Sequence, residues 1–197
     1  MKSIIILCGG RSKRMGKDKG SLILNGKPMV LHVLDTIKDI ADEIILVLRD
    51  QKQIERYKSI LKYENNSINI VTDEIRDFGP LVGILTGLSQ IKSEYAQILP
   101  CDSPFISKEF VLKMFEIAKE EDFDAIAPIW DDGHIEPLHS VYKKNIVNII
   151  RDLIKKEKHD VKSIMEDLNV KYVDVEDLDK STISFQNINT IKDFENY

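Results

Sequence analysis

Cysteine, histidine and tryptophan are scarce: two, four and one among 197 residues. Two cysteines cannot staple a disulfide scaffold. Cys8 and Cys101 both lie in apolar runs, which suits a reducing cytoplasm. No apolar run is long enough to span a bilayer, which takes about 20 residues. The early run Ile4-Ile5-Ile6-Leu7 is also too short for a signal-peptide core and lacks a small-residue cleavage site; it reads as a buried first strand. Positive charge is not in excess. The formal net charge is -5, which disfavours non-specific binding to nucleic acid. Internal repeats, low-complexity tracts and Pro/Gly/Ser linkers are missing too, so residues 1–197 are expected to form one domain. With 43% hydrophobic and 31% charged residues, such a chain buries a sizeable core without disulfides.

What is present is alternation. Short, nearly continuous apolar runs occur at Ser3 to Cys8, Glu43 to Leu48, Ile68 to Thr72, Ala96 to Pro100, Asp124 to Ile129 and Val170 to Val175. Such runs suit strands covered on both faces. Amphipathic stretches fall between them: Met29 to Ile40, Gln51 to Leu61, Pro80 to Ile91, Lys108 to Glu121 and Asn145 to Lys156. Pro80 follows Gly79 and can occupy a first helical position. The pattern predicts a doubly wound α/β fold, Rossmann-like, with a mostly parallel sheet. Gly133 to Tyr142 reads as an extra extended piece, an antiparallel edge.

Residues 7 to 19, LCGGRSKRMGKDK, place two glycines and five basic residues directly after the first strand. Glycines let backbone N–H groups approach a phosphate, and the cations neutralise it. The segment is not a P-loop. One residue too many separates Gly10 from Gly16-Lys17, and Asp18 stands where Ser or Thr would bind magnesium. The dinucleotide pattern G-x-G-x-x-G is absent.

Two acids end strands, where open α/β sheets bind their ligands. Asp102 follows Ile98-Leu99-Pro100-Cys101, and by spacing alone serves equally as a magnesium ligand or as a turn or helix cap. Asp73 follows Ile70-Val71-Thr72; a ligand contact and an Asx-type turn are both open to it. Asp77-Phe78-Gly79-Pro80-Leu81-Val82-Gly83 lies between them. It is either an anion-binding helix start or a plain turn into a core helix. His139 has no spaced partner for a metal set and reads as a packed or edge histidine. No Ser-His-Asp arrangement is identifiable, and in-line phosphoryl chemistry needs no protein nucleophile. In Asn187-Ile188-Asn189-Thr190, either Asn189 or Thr190 can cap a last helix.

The glycine-rich string resembles the L-A-G-G-x-S-x-R-M-G-x-D-K signature of the molybdenum cofactor guanylyltransferase family, with Cys8 in place of the usual Ala. The segments Leu24 to Pro28, Gly79 to Gly83, Pro100 to Pro104, Glu136 to Tyr142 and Asn187 to Thr190 are similar to family segments as well. The resemblance implies a magnesium-dependent nucleotidyltransferase that moves GMP from GTP onto the phosphate of molybdopterin and releases pyrophosphate. It puts Leu7, Cys8 and Gly9 at the base and ribose, Gly10 among the nucleotide-binding residues, and Arg14 and Lys19 at the triphosphate. Asp73 falls at the nucleotide, and Asp102 becomes the metal ligand. Gly79, Pro80, Asn187 and Asn189 are placed at the substrates. An Asn often found at the end of the second main strand is Val47 here, so that contact is lost or supplied by backbone. The expected setting is the cytoplasm. The expected partners are GTP, the molybdopterin acceptor, and molybdoenzymes or cofactor-insertion proteins, with neither nucleic acid nor membrane. A related enzyme using CTP or a sugar or polyol phosphate, and a catalytically silent nucleotide-binding domain, are the alternatives.

Overall fold

A computed structural model gives the architecture, described for residues 1–9, 18–62, 68–73, 79–120, 122–158 and 160–188. The strands are β1 (Ser3–Leu7), β2 (Ile23–Leu24), β3 (Lys27–Pro28), β4 (Glu43–Leu48), β5 (Ile68–Thr72), β6 (Tyr95–Pro100), β7 (Ala125–Ile129), β8 (Val141–Lys143) and β9 (Val170–Asp174). The α-helices are α1 (Met29–Ile37), α2 (Gln51–Ile60), α3 (Pro80–Gln90), α4 (Lys108–Glu120), α5 (Val147–Lys155), α6 (Lys162–Met165) and α7 (Val175–Leu178). Seven strands make one sheet in the order β5-β4-β1-β6-β8-β7-β9, and β2 and β3 form a small hairpin.

The sheet is two-faced because its central strands carry apolar side chains on both faces. In β1, Ile4 and Ile6 join one core while Ile5 joins the other. Successive strand residues point to opposite faces, so each needs a cover. Helices α1, α4 and α7 and Tyr57 of α2 pack on the first face; α3, α5 and α6 pack on the second. This is the doubly wound arrangement predicted from the alternation.

One expectation is corrected. The extra piece is not an edge. Within Gly133 to Tyr142 the chain makes a 3-10 turn at Pro137–His139, then enters β8, which lies antiparallel between β6 and β7. The reason is in the side chains: Val141 is buried in one core and Tyr142 in the other, so the strand needs cover on both faces. Asp174 ends β9 one residue before the expected limit. Its carboxylate accepts a hydrogen bond from Glu176 N at 2.7 Å and caps α7.

From β1 the chain runs outward to β4 and β5, then returns to β6 on the other side of β1. The strand order therefore reverses between β1 and β6, and ligands of such sheets bind at that crevice. The ladder extends one residue past the strands there. Cys8 N donates to Val47 O at 2.9 Å, Asp73 N to Leu48 O at 2.9 Å, and Cys101 N to Leu7 O at 3.2 Å.

Candidate active site

Lys19 and Asp102 meet at the crevice although 83 residues separate them; Lys19 Nζ lies 2.6 Å from Asp102 Oδ2. Their side chains are 23% and 15% exposed, so the pair is half-shielded from water yet reachable by a ligand. Lys19 opens a 3-10 turn, Lys19–Ser21, held by Ser21 N and Ser21 Oγ donating to Asp18 O. Gly20 makes the turn fit. A Cβ there would lie 2.2 Å from the Tyr57 hydroxyl and 3.1 Å from Cys101 Sγ.

Asp18, which rules out the P-loop reading, is almost fully buried. Its carboxylate accepts from Gln53 Nε2 at 2.9 Å and from Tyr57 OH at 3.0 Å, with Arg56 3.6 Å away. Burial, then the neighbouring Cys8, Cys101 and Asp18, push the Tyr57 hydroxyl well above its ordinary range, so it stays a donor. The Cys8 and Cys101 thiols are buried and unpaired by any disulfide. Their mutual hydrogen bond and burial hold the Cys101 thiol high. Both are therefore packing groups here.

Gly9 is where the chain leaves β1, and its surroundings demand glycine. A Cβ on Gly9 would stand 2.8 Å from Asp73 Oδ2, closer than real side chains approach, and 3.7 Å from Arg49 N. Gly83, in the first turns of α3, is pressed from the other side. Its Cβ would meet Leu7 Cδ2 at 3.1 Å and Asp73 Oδ1 at 3.7 Å. Asp73 is thus walled in by Gly9, Gly83 and Leu7. Its Oδ1 is buried with no hydrogen-bond partner among the described residues, and burial pushes the carboxyl up to about 6. A buried acceptor left unpaired by the protein is what a donor-bearing ligand would satisfy.

Next to Asp102 a second polar chain runs inward. Ser103 Oγ donates to Asn187 Oδ1 and lies 3.1 Å from His139 Nε2. His139 is 1% exposed, edge-on to Phe185, with its Nδ1 3.4 Å from Glu136 Oε2: ion-pair range, yet outside hydrogen-bond geometry. Trp130 Nε1 donates to Glu136 Oε1 at 3.0 Å. Burial pushes the Glu136 carboxyl up, but the His139 and Trp130 contacts outweigh it and leave the group below its usual range. Ile188 N donates to Asp102 O at 2.9 Å, so the segment bearing Asn187 is fastened directly to the acid.

The predicted residues thus gather. Leu7, Cys8, Gly9, Lys19, Asp73, Asp102 and Asn187 line or abut one crevice. Gly79 (φ +75) precedes α3 and Pro80 opens it; both are exposed. Gly10, Arg14 and Asn189 lie outside the described residues. Val47 is buried in the core, and its carbonyl, not its side chain, serves the site by holding Cys8 N. Sequence reading missed Gln53, Tyr57 and Ser103. Among the described residues no group of three or more His, Cys, Asp or Glu is placed to hold a metal. That donor set fits a cation held by one carboxylate together with phosphate oxygens, rather than by an all-protein cage.

The MobA-like NTP transferase domain model matches residues 4–173. The chain is 36% identical over 195 residues to a protein of Methanothermobacter thermautotrophicus named "Probable molybdenum cofactor guanylyltransferase", covering 98% of this chain and 97% of the relative. A crystal structure of molybdopterin-guanine dinucleotide biosynthesis protein A from Archaeoglobus fulgidus is similar with a TM-score of 0.84 and 27% identity, covering 98% of this chain and 95% of that one. A 4-diphosphocytidyl-2C-methyl-D-erythritol synthase from Anaerococcus prevotii shares the fold, at a TM-score of 0.73 and 22% identity over 98% of this chain and 94% of that one.

Proposed function

The chain belongs to the MobA-like NTP transferase family, among the molybdenum cofactor guanylyltransferases, and from that premise we propose that it transfers GMP from GTP to the terminal phosphate of a molybdopterin acceptor. Pyrophosphate is the leaving group. The observation that carries the reading is the Lys19–Asp102 pair at the strand-order reversal, directly beside the glycine-lined exit of β1. Transfer between phosphates needs in-line positioning and charge neutralisation more than a protein nucleophile.

Lys19, with Arg14, binds the triphosphate and stabilises the departing pyrophosphate. Asp102 would hold magnesium, which when bound would supply charge neutralisation for the phosphates. Leu7, Cys8 and Gly9 form the floor under the nucleoside, and Gly10 is assigned to the nucleotide on its sequence motif alone. Asp73, ionised, accepts hydrogen bonds from its base. A guanine edge offers two adjacent N–H donors, and Asp73 Oδ1 is an acceptor in want of one. Gly79 and Pro80 border the same cleft. Asn187, set by Ser103, contacts the acceptor, and Asn189 is assigned there on its sequence motif alone. We place this work in the cytoplasm, carried out by a single domain of residues 1–197 that delivers its product to molybdoenzymes or their cofactor-insertion proteins.

The test is direct. Each of four nucleoside triphosphates is incubated with molybdopterin and magnesium; pyrophosphate release is followed and the product is weighed by mass spectrometry. A guanine dinucleotide product formed fastest with GTP is expected. A faster cytidine product would refute guanylyl transfer while keeping nucleotidyl transfer, and no pyrophosphate from any triphosphate would favour a silent binding domain.

A further inference from the structure

We infer that Gln53, which lies outside the glycine-rich segment, clamps both ends of that segment and thereby positions Lys19 for the triphosphate. The inference rests on nucleotidyl transfer at this crevice as proposed. Gln53 sits in the first turn of α2, 3% exposed, and its side-chain amide is fully committed. Nε2 has two N–H groups. One donates to Cys8 O at 2.8 Å and the other to Asp18 Oδ2 at 2.9 Å. Oε1 accepts from Arg49 N at 2.7 Å. Two acceptors face the nitrogen and one donor faces the oxygen, so the amide can point only one way.

The two anchored points sit where the site is built. Cys8 is the first residue past β1, and Asp18 is the residue before Lys19. Asp18 is tied a second time to α2, through Tyr57 one helical turn after Gln53. With Asp18 held, the turn Lys19–Ser21 starts from a fixed root, and Lys19 reaches Asp102. The whole Asp18 carboxylate is spent on α2, so its task is anchorage and not contact with a ligand. Among common side chains, an amide alone gives two donors on one atom and an acceptor on the next. Asn is one methylene too short. Glu has the same shape but no donor when ionised, and would set its charge against both Asp18 and the Cys8 carbonyl.

The experiment compares steady-state kinetics of the full chain and four variants, with thermal melts to confirm folding. Gln53→Glu should raise the KM for the triphosphate at least tenfold, with a smaller change in kcat. Gln53→Met keeps the volume, adds no charge, and should raise KM several-fold. Combining Gln53→Glu with Asp18→Asn restores a donor opposite the new carboxylate, and should recover at least fivefold of the lost KM relative to Gln53→Glu alone. Asp18→Asn by itself is the reference for that recovery. A folded Gln53→Glu with the parent's KM, or a double variant no better than Gln53→Glu, overturns the clamp. Should Gln53→Glu fail to fold, a parental KM in Gln53→Met overturns it and a several-fold rise supports it. The KM is taken with whichever triphosphate the parent uses best. A preference other than GTP then refutes guanylyl transfer and leaves the clamp standing.

Discussion

Replacing Asp73 with asparagine should stabilise the empty protein and weaken its hold on nucleotide. Burial pushes the Asp73 carboxyl from 3.8 up to about 6. A tenfold change in proton affinity corresponds to about 1.4 kcal/mol, which sets an upper bound near 3 kcal/mol. The group is only partly buried, and solvent screening reduces this to about 1–2 kcal/mol. Between pH 4 and 6 the folded chain holds a proton that the unfolded chain has released, so the parent loses stability as pH rises through that window. Above it the cost of a buried charge is complete. The Asp73→Asn side chain cannot ionise, so the melting-temperature gap between variant and parent should open from pH 4 to pH 6, then stay level. For a chain of this size the gap at pH 7 is about 2–8 °C. Saturating nucleotide should shrink or reverse it, because ligand protection follows affinity and Asn offers a weaker acceptor. A gap that is flat from pH 4 to pH 7 would refute the burial argument. A gap untouched by nucleotide would remove Asp73 from the binding site.

The other substitutions probe the remaining walls of the crevice. Gly9→Ala drives a methyl into Asp73 Oδ2, so it should weaken GTP by about 1–3 kcal/mol through the displaced carboxylate; equal losses for GTP and CTP would point to backbone damage instead. Asp102→Asn removes the charge for a hard cation, and turnover should fall by orders of magnitude with poor rescue by added magnesium; activity that survives a chelator in the parent protein would contradict this. Lys19→Ala should raise the KM for triphosphate and lower kcat. It should also cost about 1–2 kcal/mol of stability, between an exposed and a buried ion pair, because Asp102 loses its partner; an unchanged melting curve would mean the pair contributes nothing.

The central parallel strands were legible because they are apolar runs covered on both faces, as in Ile4-Ile5-Ile6. Strand β8 was not, since Val141–Lys143 offers three residues and no period to read. Lys19 and Asp102 were legible as candidates because both end segments of specific composition, but that they meet in a salt bridge is a product of the fold. Gln53 and Tyr57 gave no warning. Helix α2 reads QKQIERYKSI, a polar surface helix, and nothing in that string marks those two as its buried members. Burial of polar groups depends on what the rest of the chain offers them, here Asp18 and the Cys8 carbonyl. The same holds for Ser103, whose partners His139 and Asn187 are remote in sequence. Arg14 and Asn189 stand as candidates on their sequence motifs alone, since both fall outside the described residues.

The bridge between Lys19 and Asp102 has a thermodynamic consequence. With no ligand, Lys19 and Asp102 neutralise each other. If Lys19 and Asp102 act as proposed, a triphosphate arriving alone takes Lys19 and faces a carboxylate stripped of its partner. A divalent cation arriving alone takes Asp102 and faces a displaced ammonium. Arriving together, they replace one ion pair with two, Lys19 with phosphate and Asp102 with metal. Each ligand therefore raises the affinity for the other, and linkage makes the two enhancements equal, typically about 1–3 kcal/mol. On those proposed roles, the resting ion pair would favour the metal–nucleotide complex over either component and act as a filter against half-filled sites.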